Sequence, residues 1–186
     1  TEIYTLSLHD ALPISVLDYG CGTAALSLLL APAVGRVVAA DAASGMVAEA
    51  ARKAAAGQIP NVHPVCLDLT RDGLPTERFD VIVSSMAVHH VGDVPRLLAA
   101  WAALLRPGGW LAVADLCLED GTFHGDMAVP HRGFDPAALA ATLSRHGLGD
   151  PAWITVHTVA KNAREYPVFL LVTRRLPGSA KVPSEP

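Results

Sequence analysis

From Val16 onward, short β-branched runs alternate with alanine- and leucine-rich stretches of helical spacing. Val16–Tyr19 reads as strand one, and Gly20–Gly22 turns the chain. Thr23 stands where an N-cap would open a helix to about Ala31. Val37–Ala40 is strand two, ending at Asp41; Ser44 is placed to cap a helix from Met46 to Ala56, which Gly57 stops. Val62–Leu67 is strand three, and Phe79–Ser84 is strand four, apolar enough to be buried on both faces. Leu97, Leu98, Trp101, Leu104 and Leu105 carry the three-four spacing of a helix. Pro107-Gly108-Gly109 ends it and turns into strand five, Trp110–Asp115. Asp135 before Pro136 forms an N-cap and N1 pair, opening a helix that stops at Gly147. Two more strands fall near Trp153–Val159 and Pro167–Thr173, and no internal repeat is visible. The alternation predicts βαβ units around a parallel sheet, in one α/β domain over residues 15–175. The polar, proline-rich stretch 176–186 is expected to fray.

Composition narrows the class. Of 186 residues, 51% are hydrophobic and 17% charged, which suits a packed core and excludes a disordered chain. The longest apolar run, Ala24 to Ala33, is broken by Pro32 and is too short to span a bilayer. A net charge of -4 argues against a nucleic-acid surface. Cys21, Cys66 and Cys117 lie far apart with no CxxC pair, so reduced thiols in a cytoplasmic protein fit better than a disulfide framework or structural zinc. Residues 1–14 (TEIYTLSLHDALPI) match, residue for residue, the translation of a common short-read sequencing adapter. They are read as a non-native leader and set aside. Without Glu2 and Asp10 the acidic residues fall from 18 to 16 against 14 basic ones, a balance of about -2.

The segment Asp18-Tyr19-Gly20-Cys21-Gly22-Thr23-Ala24-Ala25 lies between a strand and a helix. Gly20 and Gly22 let backbone approach a ligand closely, and the helix N-terminus points at it. Asp41, at the end of strand two, is placed to grip ribose hydroxyls. GxGxxA with this carboxylate matches a dinucleotide fingerprint and narrows the ligand to something nucleoside-like. Asp18, two residues before Gly20, bears on which nucleoside. Its charge would repel a pyrophosphate in a partly dry cleft but favour the cationic amino group and sulfonium of S-adenosylmethionine. The competing reading makes Asp18 a capping carboxylate bound only to backbone amides.

VLDYGCGTAAL, VVAADAASGMV, VCLDL, FDVIVSSMAVHHV and LLRPGGWLAVADL occur in that order. Together they resemble the class I S-adenosylmethionine-dependent methyltransferases, in particular the small-molecule branch near the quinone-biosynthesis enzymes, over Val16 to about Thr173. The resemblance implies a Rossmann-like, doubly wound sheet of seven strands in the order 3-2-1-4-5-7-6, with strand seven antiparallel. It also implies S-adenosyl-L-methionine as cofactor and S-adenosyl-L-homocysteine as product. Asp18, Gly20, Cys21 and Gly22 would surround the methionine part. Asp41 and Ala42 would lie at the ribose, and Met46 near the adenine. Asp68 would accept from the adenine amino group, with a backbone amide from Leu69. Ser84 and Ser85 would close strand four beside the sulfonium. Ala24 replaces the third glycine common in the family, at a small expected loss of closeness. On spacing alone Met46 also fits ordinary core, and Asp68 a turn before Asp72-Gly73.

Methyl transfer needs the acceptor and donor oriented and water excluded, with a base only for a protonated acceptor. Candidates are His89 and His90 after strand four, and His124 and His131 in the polar loop after strand five; His90, His124 and His131 are the catalytic candidates. The EDGTFHGD and HRGFD stretches of that loop resemble a bacterial methyltransferase subgroup and would wall the acceptor pocket. Histidines in such a loop also commonly bond backbone carbonyls. His124, Asp126 and His131, with His90 nearby, have ligand chemistry for a metal, but their irregular spacing does not ask for one, and no metal is expected. The expected partner is a small-molecule acceptor, with no membrane and no nucleic acid, and with a homo-oligomer open. Family members usually carry helices ahead of strand one. With the leader in their place, one face of strand one is expected to be exposed, cofactor binding weak and turnover slow. A non-catalytic nucleoside-binding module and a nicotinamide-dependent oxidoreductase are the competing functions.

Overall fold

The computed structural model describes residues 14–161 and 163–177. Residues 1–13 of the leader and most of the tail lie outside them. Seven strands, β1 (Ser15–Tyr19), β2 (Arg36–Asp41), β3 (Val62–Cys66), β4 (Phe79–Ser85), β5 (Leu105–Leu116), β6 (Leu148–Lys161) and β7 (Arg164–Arg175), form one sheet. Its order is β3-β2-β1-β4-β5-β7-β6. β1 to β5 pair in parallel, and β7 runs antiparallel to both β5 and β6, as the family resemblance implied. The helices are α1 (Ala25–Leu30), α2 (Ser44–Ala56), α3 (Val94–Leu104) and α4 (Pro136–Arg145).

Period-two alternation divides the core between the two faces of the sheet. Leu17 and Ile82 join Leu97, Trp101, Leu139 and Leu143 of α3 and α4 in the larger cluster. Val16, Val37 and Ala39 join Ala50 and Ala54 of α2 in a smaller one. β4 is less enclosed than its composition suggested. Val81 and Val83 are only partly buried, because the cluster they meet is built largely of short alanines. β1, by contrast, is buried along its whole length between β2 and β4, so the expected exposed face is absent.

Two expected helix caps are replaced. Ala24, not Thr23, is the N-cap of α1, at φ +63°, and makes no side-chain cap. The Thr23 hydroxyl instead accepts from Lys53 Nζ at 2.7 Å. Ser44 lies inside α2, and its N-cap is Ala43. The turn before α2 is held by Asp41, whose Oδ1 accepts the Ala43 amide at 2.8 Å. The Asp135–Pro136 start of α4 stands as read: the aspartate accepts from the Ala137 amide at 2.9 Å. Gly57 closes α2 as expected. Pro107-Gly108-Gly109 is not a turn ahead of β5 but lies within it. Phe79 already pairs with Leu105, and the register shifts before Val81 meets Trp110, so the glycines form a bulge.

Candidate active site

The C-terminal ends of β1, β2 and β4 open on a cleft of about 830 Å³. Ligands in open α/β sheets bind at this end of the strands. Gly20 and Gly22 line the cleft, both at positive φ (+71° and +53°), and so do Ala42 and Ala43. A Cβ on Gly20 would lie 2.3 Å from Ala87 Cβ, whereas one on Gly22 would meet nothing within 4 Å. Asp41 joins the two turns. Its Oδ2 accepts the Gly22 amide at 2.9 Å while Oδ1 holds Ala43. One amide on each oxygen leaves lone pairs on both for hydroxyl donors.

Met46, one turn into α2, is 45% exposed and lines the cleft, so it is not core. Asp68 also lines it, within an Asx turn: Oδ1 accepts both the amide and the hydroxyl of Thr70, at 2.9 and 2.6 Å. Partial burial pushes this carboxyl up, but the Thr70 bonds prevail and hold it below the usual range. The Leu69 amide is already engaged, donating to the Tyr19 hydroxyl at 3.2 Å with Leu69 itself buried. A ligand therefore does not meet that amide in this arrangement. Burial pushes the Tyr19 phenol up to about 12, so it remains a neutral hydroxyl.

Asp18, Cys21, Ser84 and Ser85 are not among the lining residues. Asp18 is 1% exposed, and its Oδ2 accepts from the Ser27 hydroxyl at 2.6 Å. Its partner is thus a side chain of α1. Burial raises its carboxyl above the ordinary value against the pull of the Ser27 bonds. Cys21 is half-buried, and burial lifts its thiol to about 12, far from a nucleophile. Ser84 is buried with its Oγ unpartnered among the described residues, and Ser85 is exposed.

The far wall follows β4. Met86, at φ +54°, bends the chain while its amide donates to the Ala114 carbonyl at 2.8 Å. A methionine in this conformation is a strained position of the kind that collects at functional sites. A 3-10 turn, Val88–His90, follows and places exposed His90 on the cleft beside Val91, Gly92 and Asp93. His89 is buried. Its Nδ1 lies 2.6 Å from Asp115 Oδ1, and its amide donates to Oδ2 at 3.2 Å. The loop after β5 brings His124 to this pair, with ring centroids 4.9 Å from His89 and 5.3 Å from His90. Burial, then the neighbouring His89, hold the imidazoles of His90 and His124 below the usual value, so both are neutral at physiological pH. His131 is not in the cluster. Its amide donates to the His89 carbonyl at 3.2 Å and its ring packs on Phe134. No residue of the 117–135 loop lines the cleft, but His124 packs against His90, which does.

Sequence reasoning missed Tyr19, Thr70, Arg71, Met86 and Asp93 in the lining, and Asp115 behind His89. The VHH run followed by a strand ending in Asp115 was the available signal. Pairing of β4 with β5 is what brings the two together.

Sheet order, glycine turn and the Asp41 carboxylate define the chain as a Rossmann-like protein of the class I S-adenosylmethionine-dependent methyltransferase type. Residues 16–109 match the methyltransferase-domain family, and the chain belongs to it. It is 32% identical over 142 residues to an uncharacterized methyltransferase of Schizosaccharomyces pombe (strain 972 / ATCC 24843), covering 68% of this chain and 50% of that one. It is 32% identical over 110 residues to a ubiquinone biosynthesis O-methyltransferase of Bradyrhizobium sp. (strain ORS 278), covering 59% and 43%. The fold matches the crystal structure of a SAM-dependent methyltransferase from Aquifex aeolicus, with TM-score 0.66, 20% identity, and 88% and 82% of the two chains covered. The chain spans about half the length of the curated relatives it matches. S-adenosylmethionine is the cofactor of this family. No helix among the described residues is long and apolar enough to cross a membrane.

Proposed function

We propose that the cleft binds S-adenosylmethionine and that the chain catalyses transfer of its methyl group to an oxygen of a small-molecule acceptor. One observation carries the ligand choice: the charged side chains lining the cleft are three carboxylates, Asp41, Asp68 and Asp93, against one guanidinium, Arg71. A negative lining suits a cationic sulfonium and amino group and opposes the diphosphate of a nicotinamide dinucleotide. The residues also fit the group sterically, since the glycine turn is open at Gly22 and Asp41 has acceptor capacity to spare. Gly20, Gly22 and Ala42 would hold the backbone side, Asp41 the ribose and Met46 the base.

Bound there, the cofactor supplies an activated methyl group on a good leaving group. The chain's own work is then to orient the acceptor and exclude water. His90 faces the acceptor end, with His124 and His89 behind it, so this cluster is what a hydroxyl acceptor would meet. His131 supports it by holding the His89 carbonyl. An oxygen acceptor is favoured by the likeness to a ubiquinone biosynthesis O-methyltransferase.

Calorimetric titration with S-adenosylhomocysteine, and with NADH as control, tests this reading. Saturable binding of the former, lost in Asp41→Ala, is the expected result. Binding of NADH alone would establish the oxidoreductase reading instead. Homocysteine-nucleoside binding without methylation across a broad acceptor screen would leave a nucleoside-binding module.

A further inference from the structure

Behind the cleft wall the molecule assembles a group of side chains that spacing along the chain did not announce. His89 and His90 are consecutive, with ring centroids 4.2 Å apart, and His124 arrives from a loop more than thirty positions later. One ring nitrogen from each of the three lies within 4.8 Å of the other two. It is the one group of potential metal ligands of that size among the described residues. Asp126 and His131, considered as ligands from the sequence, are not part of it.

The hydrogen-bond pattern says which nitrogens are free. Asp115 is fully buried, and its carboxylate accepts from the His89 and Leu116 amides as well as facing His89 Nδ1. A carboxylate accepts, so His89 Nδ1 carries the hydrogen and Nε2 is the ring nitrogen left for a further partner. His124 Nε2 is buried and has no hydrogen-bond partner among the described residues. An unpartnered buried nitrogen is costly. A cation at this point would supply the missing partner of His124 Nε2. A carboxylate on the outer nitrogen of a histidine is also the usual outer-shell support of a metal ligand.

We propose that His89, His90 and His124 form a three-histidine site for a divalent late first-row metal, zinc fitting best, with Asp115 as outer-shell partner and a fourth position open to the cleft. Three imidazoles without thiolate or oxygen ligands select zinc and its neighbours over magnesium or calcium. Three protein ligands leave the open position found at catalytic zinc rather than the closed shell of structural zinc. The 4.8 Å spread is wider than the roughly 3.4 Å that separates ligand nitrogens in a tetrahedral zinc site. His90 is exposed and His124 is borne on a loop, so side-chain rotation closes the gap. Resting on the proposed function, the fourth ligand would be an oxygen of the methyl acceptor, since His90 lines the acceptor end.

The test uses the full chain stripped with chelator and titrated calorimetrically with zinc alone, with cobalt(II) absorption as a second readout. One equivalent is expected, with visible cobalt bands of a four-coordinate site. His124→Ala and His90→Ala should each weaken binding at least a hundredfold, and Asp115→Asn about ten- to a hundredfold. His157→Ala, on exposed β6, should change nothing. His89 is buried and its loss risks the fold, so the two less buried ligands carry the decision. No saturable binding by a chain that circular dichroism shows to be folded would overturn the site, as would binding that survives both substitutions. Homocysteine-nucleoside titration of His124→Ala keeps the two readings apart, since it should bind as the parent does whatever happens to zinc.

Discussion

Gly20→Ala is the sharpest probe of the cleft wall. Gly20 sits at φ +71°, where an L-residue costs about 1–2 kcal/mol. Its new Cβ would also fall 2.3 Å from Ala87 Cβ, well inside contact distance, so either β1 or the turn after β4 must shift. Overpacking of this kind costs about 1–3 kcal/mol, and the two effects together give about 2–5 kcal/mol. Ala87→Gly removes the clash but not the dihedral strain. The double variant should therefore be less destabilised than the two single changes summed, by about 1–3 kcal/mol. Gly22→Ala is the contrast. At φ +53° with nothing within 4 Å of its Cβ, it should lose only about 1–2 kcal/mol while placing a methyl in the cleft. Urea denaturation followed by tryptophan fluorescence reads all four, because Trp101 is fully buried in the main core. Gly20→Ala within about 0.5 kcal/mol of the parent, or no relief from Ala87→Gly, would refute the placement of the two turns.

Asp41→Asn retains one carbonyl acceptor but loses the charge and one amide bond, so S-adenosylhomocysteine affinity should fall about tenfold or more by calorimetry, with Asp41→Ala lower still. Tyr19→Phe strips the buried Leu69 amide of its acceptor and should cost about 1–3 kcal/mol in the same urea assay, with the cleft lining otherwise intact. Asp80 is pushed up by partial burial but held below the usual range by bonds from the Ser15 amide, Arg106 and the Ser15 hydroxyl. Its contribution is present above the unfolded value of about 3.9 and lost as pH falls through the lower folded value, so Asp80→Asn should flatten the acid limb of a stability–pH curve. Asp18 has the opposite sign. Its folded value is raised, so stability falls as pH climbs from about 3.9 through that value; Asp18→Asn should abolish the fall and be at least as stable as the parent at neutral pH.

The sheet order was legible because five motifs in series resemble a family whose fold implies it, and Asp41 and the glycine turn because each lies at the end of a strand the pattern marks. What escaped the sequence has a common physical character. Thr23 and Ser44 are good cap residues, but Asp41 already satisfies the amides of both turns from outside the helices. The Leu69 amide looked free because Tyr19, which holds it, is fifty positions earlier. Ala24 looked like a question of closeness, yet its residue is at φ +63°, so the departure from glycine is one of backbone strain. Asp18 looked like a charge beside the ligand, but Ser27 lies within hydrogen-bond reach once α1 folds back. Side-chain partners across sheet and loop are decided by topology, which spacing along the chain does not carry.

Two carboxylates then explain why the cleft keeps its shape. Asp41 ends β2 and accepts one amide from the β1–α1 turn and one from the β2–α2 turn. Asp115, near the end of β5, accepts the amide and holds the ring of His89 from the turn after β4. Each ties a loop of one strand to the end of its neighbour, so both walls are anchored to the rigid sheet rather than to each other. Loops held this way have less freedom to lose when a ligand arrives, and more of the contact energy appears as affinity. The price is that neither aspartate can be altered for its chemistry alone. Asp41→Ala releases the glycine turn as well as the ribose site, and Asp115→Asn disturbs a backbone amide as well as an imidazole. The conservative Asp41→Asn and the distal His124→Ala are accordingly the changes that report on ligand and metal with the least disturbance of the walls.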